Sequence, residues 1–219
     1  MSPDTVLTAE QVPEYFRERF GAGVKETRVT ERREGAKRNP NFNIWIDLDR
    51  ELLKPAILAL MELDYPHLAV ISGTDLGEEI RMIYHFSIYY GKKHGEYTVS
   101  LAVHVPKTDL SIPTISDLIP GAVFTEREKQ EFLGIRVVGI PDNRRLFLPE
   151  DFPEGVYPWR KDETGVPDSM VKDLYMSQRP TDRPAPPAGE KELCEIEPKA
   201  EPAPASSPEQ PTEQKEVKE

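Results

Sequence analysis

Histidine and cysteine are the side chains of this sequence that could bind a metal ion or act as nucleophiles. The 4 histidines are His67, His85, His94 and His104, and they lack the close paired spacing of a metal-ligand motif. The single cysteine, Cys194, allows no intramolecular disulfide. It also cannot alone supply the roughly four thiolates of an iron–sulfur cluster. The sequence therefore predicts neither a metal site nor a redox centre in this chain.

Carboxylates are abundant, since 39 Asp and Glu residues outnumber 28 Lys and Arg and give a net charge of -11. No nucleophile or cleft organises them, so we interpret them as a solvated surface rather than as general acids and bases. The glycines form no phosphate-binding loop. The acidic balance also argues against nucleic acid as a partner. We predict no catalytic residue, and a hydrolase using carboxylates of residues 124–163 is the enzyme alternative.

Residues 124–163 combine aromatic and basic side chains with proline and follow little helical or strand periodicity. Protein interfaces are enriched in aromatic residues and arginine. We interpret the part after Gly134 as an extended arm that cannot satisfy its own groups. Such an arm is expected to gain order by docking on a neighbouring subunit.

Ten residues of this region are candidates for a subunit interface. Thr125 and Glu128 form a capping box, for which simple helix capping is the alternative interpretation. A cation such as Arg127 is not favoured at a helix start, which predicts an anionic partner elsewhere. Arg144 and Arg145 could also belong to a solvated turn. The candidates are Glu126, Arg127, Glu128, Arg144, Arg145, Tyr157, Pro158, Trp159, Arg160 and Lys161.

The hydrophobic pattern upstream predicts the elements that position this region. A capping box of Thr8 and Gln11 begins an amphipathic helix that stops at Gly21. Residues 31–41 are interpreted as a turn or loop that follows a short strand. Later elements are predicted as a strand at 44–48, a helix at 52–63, a strand at 68–71, a hairpin of 80–88 with 97–103, and a helix at 125–134. This order predicts an α+β domain with a mainly antiparallel sheet and helices on one face.

Three regions are expected along the chain. Residues 1–135 form the α+β domain, residues 136–178 the docking arm, and residues 179–219 a disordered, acidic, proline-rich tail. No apolar run approaches the roughly 20 residues that span a bilayer, and no targeting segment is evident. We therefore expect a cytoplasmic protein that reaches a membrane only through its partners.

Short motifs recur in a fixed order between residues 113 and 162. They are Pro113, Thr114, Asp117 and Pro120 as P-S-x-x-D-x-x-P, Glu126, Arg127 and Glu128 as E-R-E, Gly134 and Ile135 as G-I, Gly139 and Pro141 as G-H-P, Arg144 and Arg145 as R-R, and Pro158, Arg160, Lys161 and Asp162 as P-x-R-K-D. In order and spacing they resemble the signature region of the 30-kilodalton subunit family of respiratory complex I and related membrane-bound nickel–iron hydrogenases. The resemblance extends over roughly residues 43–163.

Two departures from the pattern indicate a branch of that family. Lys129, Gln130 and Glu131 stand where the complex I branch usually has an aromatic residue followed by Asp, and Ile140 replaces the His of G-H-P. Both departures favour the hydrogenase-like or sulfur-reducing branch. An equivalent subunit of an NADH or F420H2:quinone oxidoreductase is the alternative within the family, and a stand-alone acidic adaptor is the alternative outside it.

The resemblance implies a cofactor-free structural subunit in the peripheral arm of a ferredoxin-linked, membrane-bound complex. Its implied partners are a large subunit of the nickel–iron hydrogenase type and iron–sulfur subunits, which would carry the clusters. The implied location is the inner face of the cell membrane.

Overall fold

The computed structural model describes residues 6–34, 36, 38–91 and 96–170. Its helices are α1 (Gln11–Phe20), α2 (Leu53–Leu63) and α3 (Ala122–Leu133), and its strands are β1 (Val24–Glu34), β2 (Asn39–Leu48), β3 (His67–Asp75), β4 (Glu79–Ile88), β5 (Tyr97–Pro106), β6 (Ser111–Pro113) and β7 (Arg136–Val138). The predicted tail, Cys194 and His94 lie outside the described residues.

The main sheet has five strands in the order β1-β2-β5-β4-β3. Strands β4 and β5 form the predicted antiparallel hairpin, in which Tyr84 pairs with Leu101. One pairing is parallel, because Ile46 of β2 lies beside Leu101 of β5. Strands β6 and β7 form a separate two-stranded parallel sheet. The predicted α+β class with mainly antiparallel pairing is confirmed.

The hydrophobic core lies on one face of the main sheet, under the helices. Alternate residues of β2, β4 and β5 point into it, and Val12 and Phe16 of α1 and Ile57 of α2 are also fully buried there. Burying one such side chain contributes roughly 1.5–3 kcal/mol. None of the described helices combines the length and the apolar character that crossing a membrane requires. The opposite face of the sheet carries polar and aromatic side chains, among them Trp45 and His85.

The start of α1 follows the sequence prediction. The Thr8 backbone N–H donates to Gln11 Oε1 at 2.9 Å, and the Gln11 backbone N–H donates to Thr8 Oγ1 at 3.3 Å. These reciprocal bonds satisfy two backbone donors at the helix start, as a capping box does.

Two local predictions were wrong. Residues 31–34 and 39–41 belong to strands rather than to a turn or loop, because the β1–β2 ladder continues until Glu34 pairs with Asn39. Helix α3 begins at Ala122 rather than at Thr125, and the Thr125 hydroxyl donates back to the Ala122 carbonyl at 3.1 Å. The supposed second capping box therefore lies inside the helix, where a hydroxyl bonds to the preceding turn instead of capping it.

Candidate functional site

Helix α3 buries four charged side chains, although charged residues are rarely buried unless they are paired. The exposed fraction is 1% for Glu126, 8% for Arg127, 2% for Lys129 and 8% for Glu131. Each of these side chains contacts a different stretch of the chain or a different neighbour. The helix thus organises the segments that pack around it.

Glu126 binds residues 114 and 115, which precede α3. Its carboxylate accepts hydrogen bonds from the Thr114 hydroxyl at 2.6 Å and from the Ile115 backbone N–H at 2.7 Å. Burial raises the pKa of Glu126, and the two hydrogen bonds offset part of that increase. The P-S-x-x-D-x-x-P and E-R-E motifs are therefore in direct contact.

Arg127 binds residues 142, 144 and 145, which follow α3. Its Nε donates to the Arg144 carbonyl at 2.7 Å, and its Nη2 donates to the Arg145 carbonyl at 2.9 Å. Its Nη1 lies 3.2 Å from Asp142 Oδ2. The anionic partner that the sequence predicted for this cation is thus Asp142 of the same chain, and a subunit contact of Arg127 stays a prediction.

Glu131 and Arg145 shape residues 144–152. The Glu131 carboxylate accepts backbone N–H bonds from Leu146, from Phe147 at 2.9 Å and from Leu148 at 3.3 Å. Arg145 Nη1 donates to the carbonyls of Pro149 and Phe152, each at 2.8 Å. Consecutive backbone donors around one carboxylate hold this segment in a fixed path without regular secondary structure.

Phe132 is the centre of an aromatic cluster at the end of α3. The Trp159 ring stacks on it with centroids 4.6 Å apart and planes 15° apart, and the Phe147 ring lies 5.9 Å away. The Lys129 ammonium lies 4.6 Å from the Trp159 centroid, a cation–π distance. The Trp159 backbone N–H also donates to the Phe132 carbonyl at 2.9 Å and so satisfies a helix-terminal acceptor.

Asp75, at the end of β3, holds the P-x-R-K-D element. Its fully buried carboxylate accepts the Lys161 backbone N–H at 2.9 Å and pairs with the Lys107 ammonium at 2.9 Å. Lys107 also reaches Asp162 Oδ2 at 2.5 Å. Burial alone would raise the pKa of Asp75, but the bonds from Lys161 and Lys107 outweigh it and leave the pKa below 3.8.

Many backbone and charged groups of the segment after Gly134 therefore find partners within their own chain. The prediction that this segment cannot satisfy its own groups was wrong. The segment lies along α3 and the end of β3 rather than in the interior, however. Phe147 remains 62% exposed and Trp159 41% exposed, and Phe124, two helical turns before Phe132, is 57% exposed. We call Phe124, Phe132, Phe147 and Trp159 the aromatic surface. Exposed apolar groups of this kind mark interaction sites.

The ten predicted interface residues fall into two groups. Trp159, Lys161 and Arg144 are exposed, although Arg144 pairs with Asp142 at 2.9 Å. The others are buried or half-buried and contact their own chain. The Arg160 side chain is 6% exposed and lies 5.8 Å from the Tyr157 centroid. Its Nε and Nη1 have no hydrogen-bond acceptor among the described residues. Interface roles for these ten residues stay a prediction.

A cleft of about 350 Å³ opens between α3 and residues 143–157. Gln130 and Glu131 line it from the helix, and Arg145, Leu148 and Tyr157 line it from the segment. It mixes polar and apolar walls and is of a size to admit a side chain of a docked protein. Among the residues that the structure describes, no cluster of His, Cys, Asp and Glu is arranged to hold a metal ion.

The sequence argument missed Asp75, Lys107 and Glu131. The isolated acid of β3 gave no signal, because its partner Lys161 lies 86 positions away. Phe124 and Phe132 carried a usable signal, since positions eight apart share a helical face.

The comparison with known protein families identifies the family of this chain. The family model described as respiratory-chain NADH dehydrogenase, 30 Kd subunit, matches residues 46–168. This range includes β3, α3 and the segment after Gly134 that packs along them. The chain belongs to this family. The resemblance noted from the motifs is thereby confirmed.

Relatives from two branches of the family are similar to this chain. Membrane-bound hydrogenase subunit beta of Pyrococcus furiosus is 37% identical over 166 residues, covering 75% of this chain and 91% of that protein. NADH-quinone oxidoreductase subunit 5 of Thermus thermophilus is 34% identical over 128 residues, covering 55% of this chain and 61% of that protein. Similarity to the hydrogenase subunit is thus the more extensive of the two.

A solved structure has the same fold. A chain in the structure of the membrane-bound sulfane sulfur reductase, an archaeal respiratory membrane complex, aligns with a TM-score of 0.55 and 19% identity. The alignment covers 69% of this chain and 83% of that chain. At this identity the likeness concerns the fold.

Proposed function

We propose that this chain is a cofactor-free structural subunit that docks, through its aromatic surface, on the large nickel–iron-hydrogenase-like subunit of a membrane-bound complex. The complex would be ferredoxin-linked and of the hydrogenase or sulfur-reducing type, and neighbouring subunits would carry its iron–sulfur clusters. The contribution of this chain is positional, because it holds the large subunit in register with its electron-donating neighbours.

The coarse part of this statement follows from membership of the family. The chain is a subunit of a membrane-bound hydrogenase or complex I-like assembly, since its relatives are subunits of such complexes. Its partners are accordingly other subunits. The inner face of the cell membrane as its location is part of the proposal.

The observation that carries the docking proposal is the exposure of Phe147 and Trp159 on a segment whose backbone is fastened at many points. A rigid aromatic group loses little conformational entropy when it docks, so such groups dominate interface energetics. Glu131, Arg127 and Asp75 hold this segment before any partner arrives. The buried charges of α3 therefore serve to preorganise the surface rather than to contact the partner.

Site-specific photocrosslinking tests the docking proposal. A photoreactive phenylalanine analogue replaces Phe147 or Phe124 in the full-length chain, expressed in its own cells, and the crosslinked proteins are identified from isolated membranes. We expect both positions to capture the large subunit. Leu58 of α2 is a matched control, since it is 47% exposed but lies outside the aromatic surface.

The outcomes separate the alternatives. Crosslinking of Leu58 to the large subunit as efficient as that of Phe147 contradicts a specific docking surface. Recovery of this chain without any hydrogenase-type or iron–sulfur subunit contradicts the structural role and favours a stand-alone adaptor. Capture of a large subunit of the quinone-reducing type would move the chain to the other branch of the family, which the similarity to the Thermus thermophilus subunit keeps open.

A further inference from the structure

A second candidate site lies on the face of the main sheet opposite the core. It is a cleft of about 200 Å³ lined by Arg28, Thr30, Arg32, Asn43, Trp45, His85 and Ser100. We call it the basic cleft. Its lining contains no carboxylate, although the chain as a whole has a net charge of -11. A basic cleft on an acidic protein indicates an anionic ligand.

Two carboxylates of this sheet face, Asp47 and Glu79, are engaged by His104, whose Nε2 lies 3.0 Å from Asp47 Oδ2 and whose Nδ1 lies 2.5 Å from Glu79 Oε1. Within the part of the chain that the structure describes, neither Arg28 nor Arg32 forms an ion pair. Arg33, on the other side of the same strand, pairs with Glu31 at 2.8 Å. The two guanidinium groups in the cleft are thus available to an external anion.

Trp45 forms the wall between these arginines and a third one. The Arg81 guanidinium lies 5.7 Å from the Trp45 centroid, and its buried Nε has no acceptor among the described residues. Burial lowers the pKa of His85, and its ring nitrogens contact the hydroxyls of Ser72 and Ser100. The cleft therefore offers fixed arginine charges and hydroxyl and amide donors.

Strand β1 borders the basic cleft and would set the orientation of an extended ligand. It is one of the two edge strands of the sheet, and the backbone N–H and C=O groups along its outer edge have no strand partner among the described residues. Arg28, Thr30 and Arg32 alternate along its outer face, about 7 Å apart. An extended polypeptide that pairs with such an edge places every second side chain beside these residues, where opposite charges stabilise the pairing.

We propose that the basic cleft and the outer edge of β1 bind an extended acidic segment of a partner subunit. Carboxylates on alternate residues of that segment would face Arg28 and Arg32, and its backbone would continue the sheet. A guanidinium group binds carboxylate and phosphate alike, but the adjacent row of unpaired backbone groups favours a polypeptide. This inference is independent of the aromatic surface, because it concerns a different strand and a different face.

Peptide binding to the full-length chain tests this inference. The probe is a fluorescently labelled octapeptide of alternating Glu and Thr, followed by fluorescence anisotropy, with a Gln-for-Glu peptide as the reference. We expect Arg28→Gln and Arg32→Gln each to weaken binding about tenfold, the loss of one charge-assisted hydrogen-bonded pair. Arg33→Gln is the matched control and should change the affinity by less than about twofold.

Three results would overturn the inference. The first is equal affinity for the Glu and Gln peptides. The second is binding of inorganic phosphate that depends on Arg28 and Arg32 while the Glu peptide does not bind. The third is a dimer in size-exclusion chromatography that Arg28→Gln disrupts, which would make a second copy the occupant. Because Arg28 and Arg32 are exposed, neither substitution should lower the unfolding temperature, and loss of fold cannot imitate loss of binding.

Discussion

The carboxylate of Asp75 accepts a hydrogen bond of 2.9 Å from the backbone N–H of Lys161, 86 positions later in the chain. This bond joins the end of β3 to the P-x-R-K-D element and so fixes where Trp159 lies. A residue that no motif includes thus determines the position of one that a motif contains. The aromatic surface depends on this long-range contact.

Asp75→Asn should release residues 157–165 from the sheet. The substitution leaves the Lys107 ammonium without its buried partner, and breaking a buried pair costs about 3 kcal/mol. Hydrogen–deuterium exchange should show faster exchange of the Lys161 amide, while β5 stays protected. Asp151→Asn, at an exposed position, is the control. Unchanged exchange at Lys161 would contradict the role of Asp75.

Acid should detach the same segment. The pKa of Asp75 and that of Asp162 lie below the usual 3.8, the latter through hydrogen bonds from Lys107 and Thr164. Groups with a lowered pKa stabilise the fold above their unfolded pKa and lose that contribution as the pH falls towards the folded pKa. The unfolding temperature should therefore fall as the pH is lowered below about 4, towards the folded pKa values of these two groups. In Asp75→Asn the fall should be shallower, and an identical slope would exclude Asp75 as its cause.

Gly134→Ala should displace Tyr157. Gly134 ends α3 with φ at +69°, and a Cβ there would lie 2.7 Å from the Tyr157 ring. Strain and steric overlap together predict a loss of roughly 2 kcal/mol in the free energy of unfolding. Gly121→Ala is the matched control, since no atom lies within 4 Å of its added Cβ. Chemical denaturation of both variants measures the difference.

Glu131→Gln should loosen residues 146–148. The substitution keeps the shape of the side chain but replaces a carboxylate that accepts three backbone N–H groups by an amide with a single acceptor oxygen. We expect a loss of about 1–3 kcal/mol in stability and greater mobility of Phe147 by NMR. Glu150→Gln, on the same segment and exposed, should be neutral. Equal effects of the two variants would contradict the special role of Glu131.

Phe147→Ser and Phe124→Ser should impair assembly without unfolding the chain. Both side chains are more than half exposed, so their loss costs the isolated chain little, whereas interface anchors cost at least about 2 kcal/mol of binding. Co-purification from membranes and thermal unfolding of the isolated chain measure the two effects. Leu58→Ser should change neither. Arg160→Ala is a poorer test, because that side chain is 6% exposed and its loss also disturbs the segment.

The sequence predicted those parts of the fold whose determinants are local. The hairpin of β4 and β5 followed from strict alternation, and α1 followed from its capping box. The parallel pairing of β2 with β5 was not predicted, because register between distant strands depends on the assembled core rather than on any short pattern.

The motifs directed attention to the region around α3, but the contacts of its buried charged residues could not be predicted from them. Arg127 and Glu126 looked like contact residues because buried charges cannot be recognised from composition. Their partners are backbone groups of residues 144–145 and 115, and such partners leave no trace in side-chain patterns. Aromatic residues outside helical or strand spacing pointed to Phe147 and Trp159, which are exposed, and their interface role stays a prediction.

The position of β5 between β2 and β4 also constrains how this protein is made. Residues 42–48 of β2 pair with residues 97–103 of β5. The β1–β2 hairpin therefore leaves the ribosome well before β5, the strand that pairs with the free edge of β2. During that interval an unfinished sheet edge is open to aggregation, as nascent chains with distant pairings are. Translation pauses or chaperone binding before residue 97 would be expected to have a large influence on the yield of folded chain.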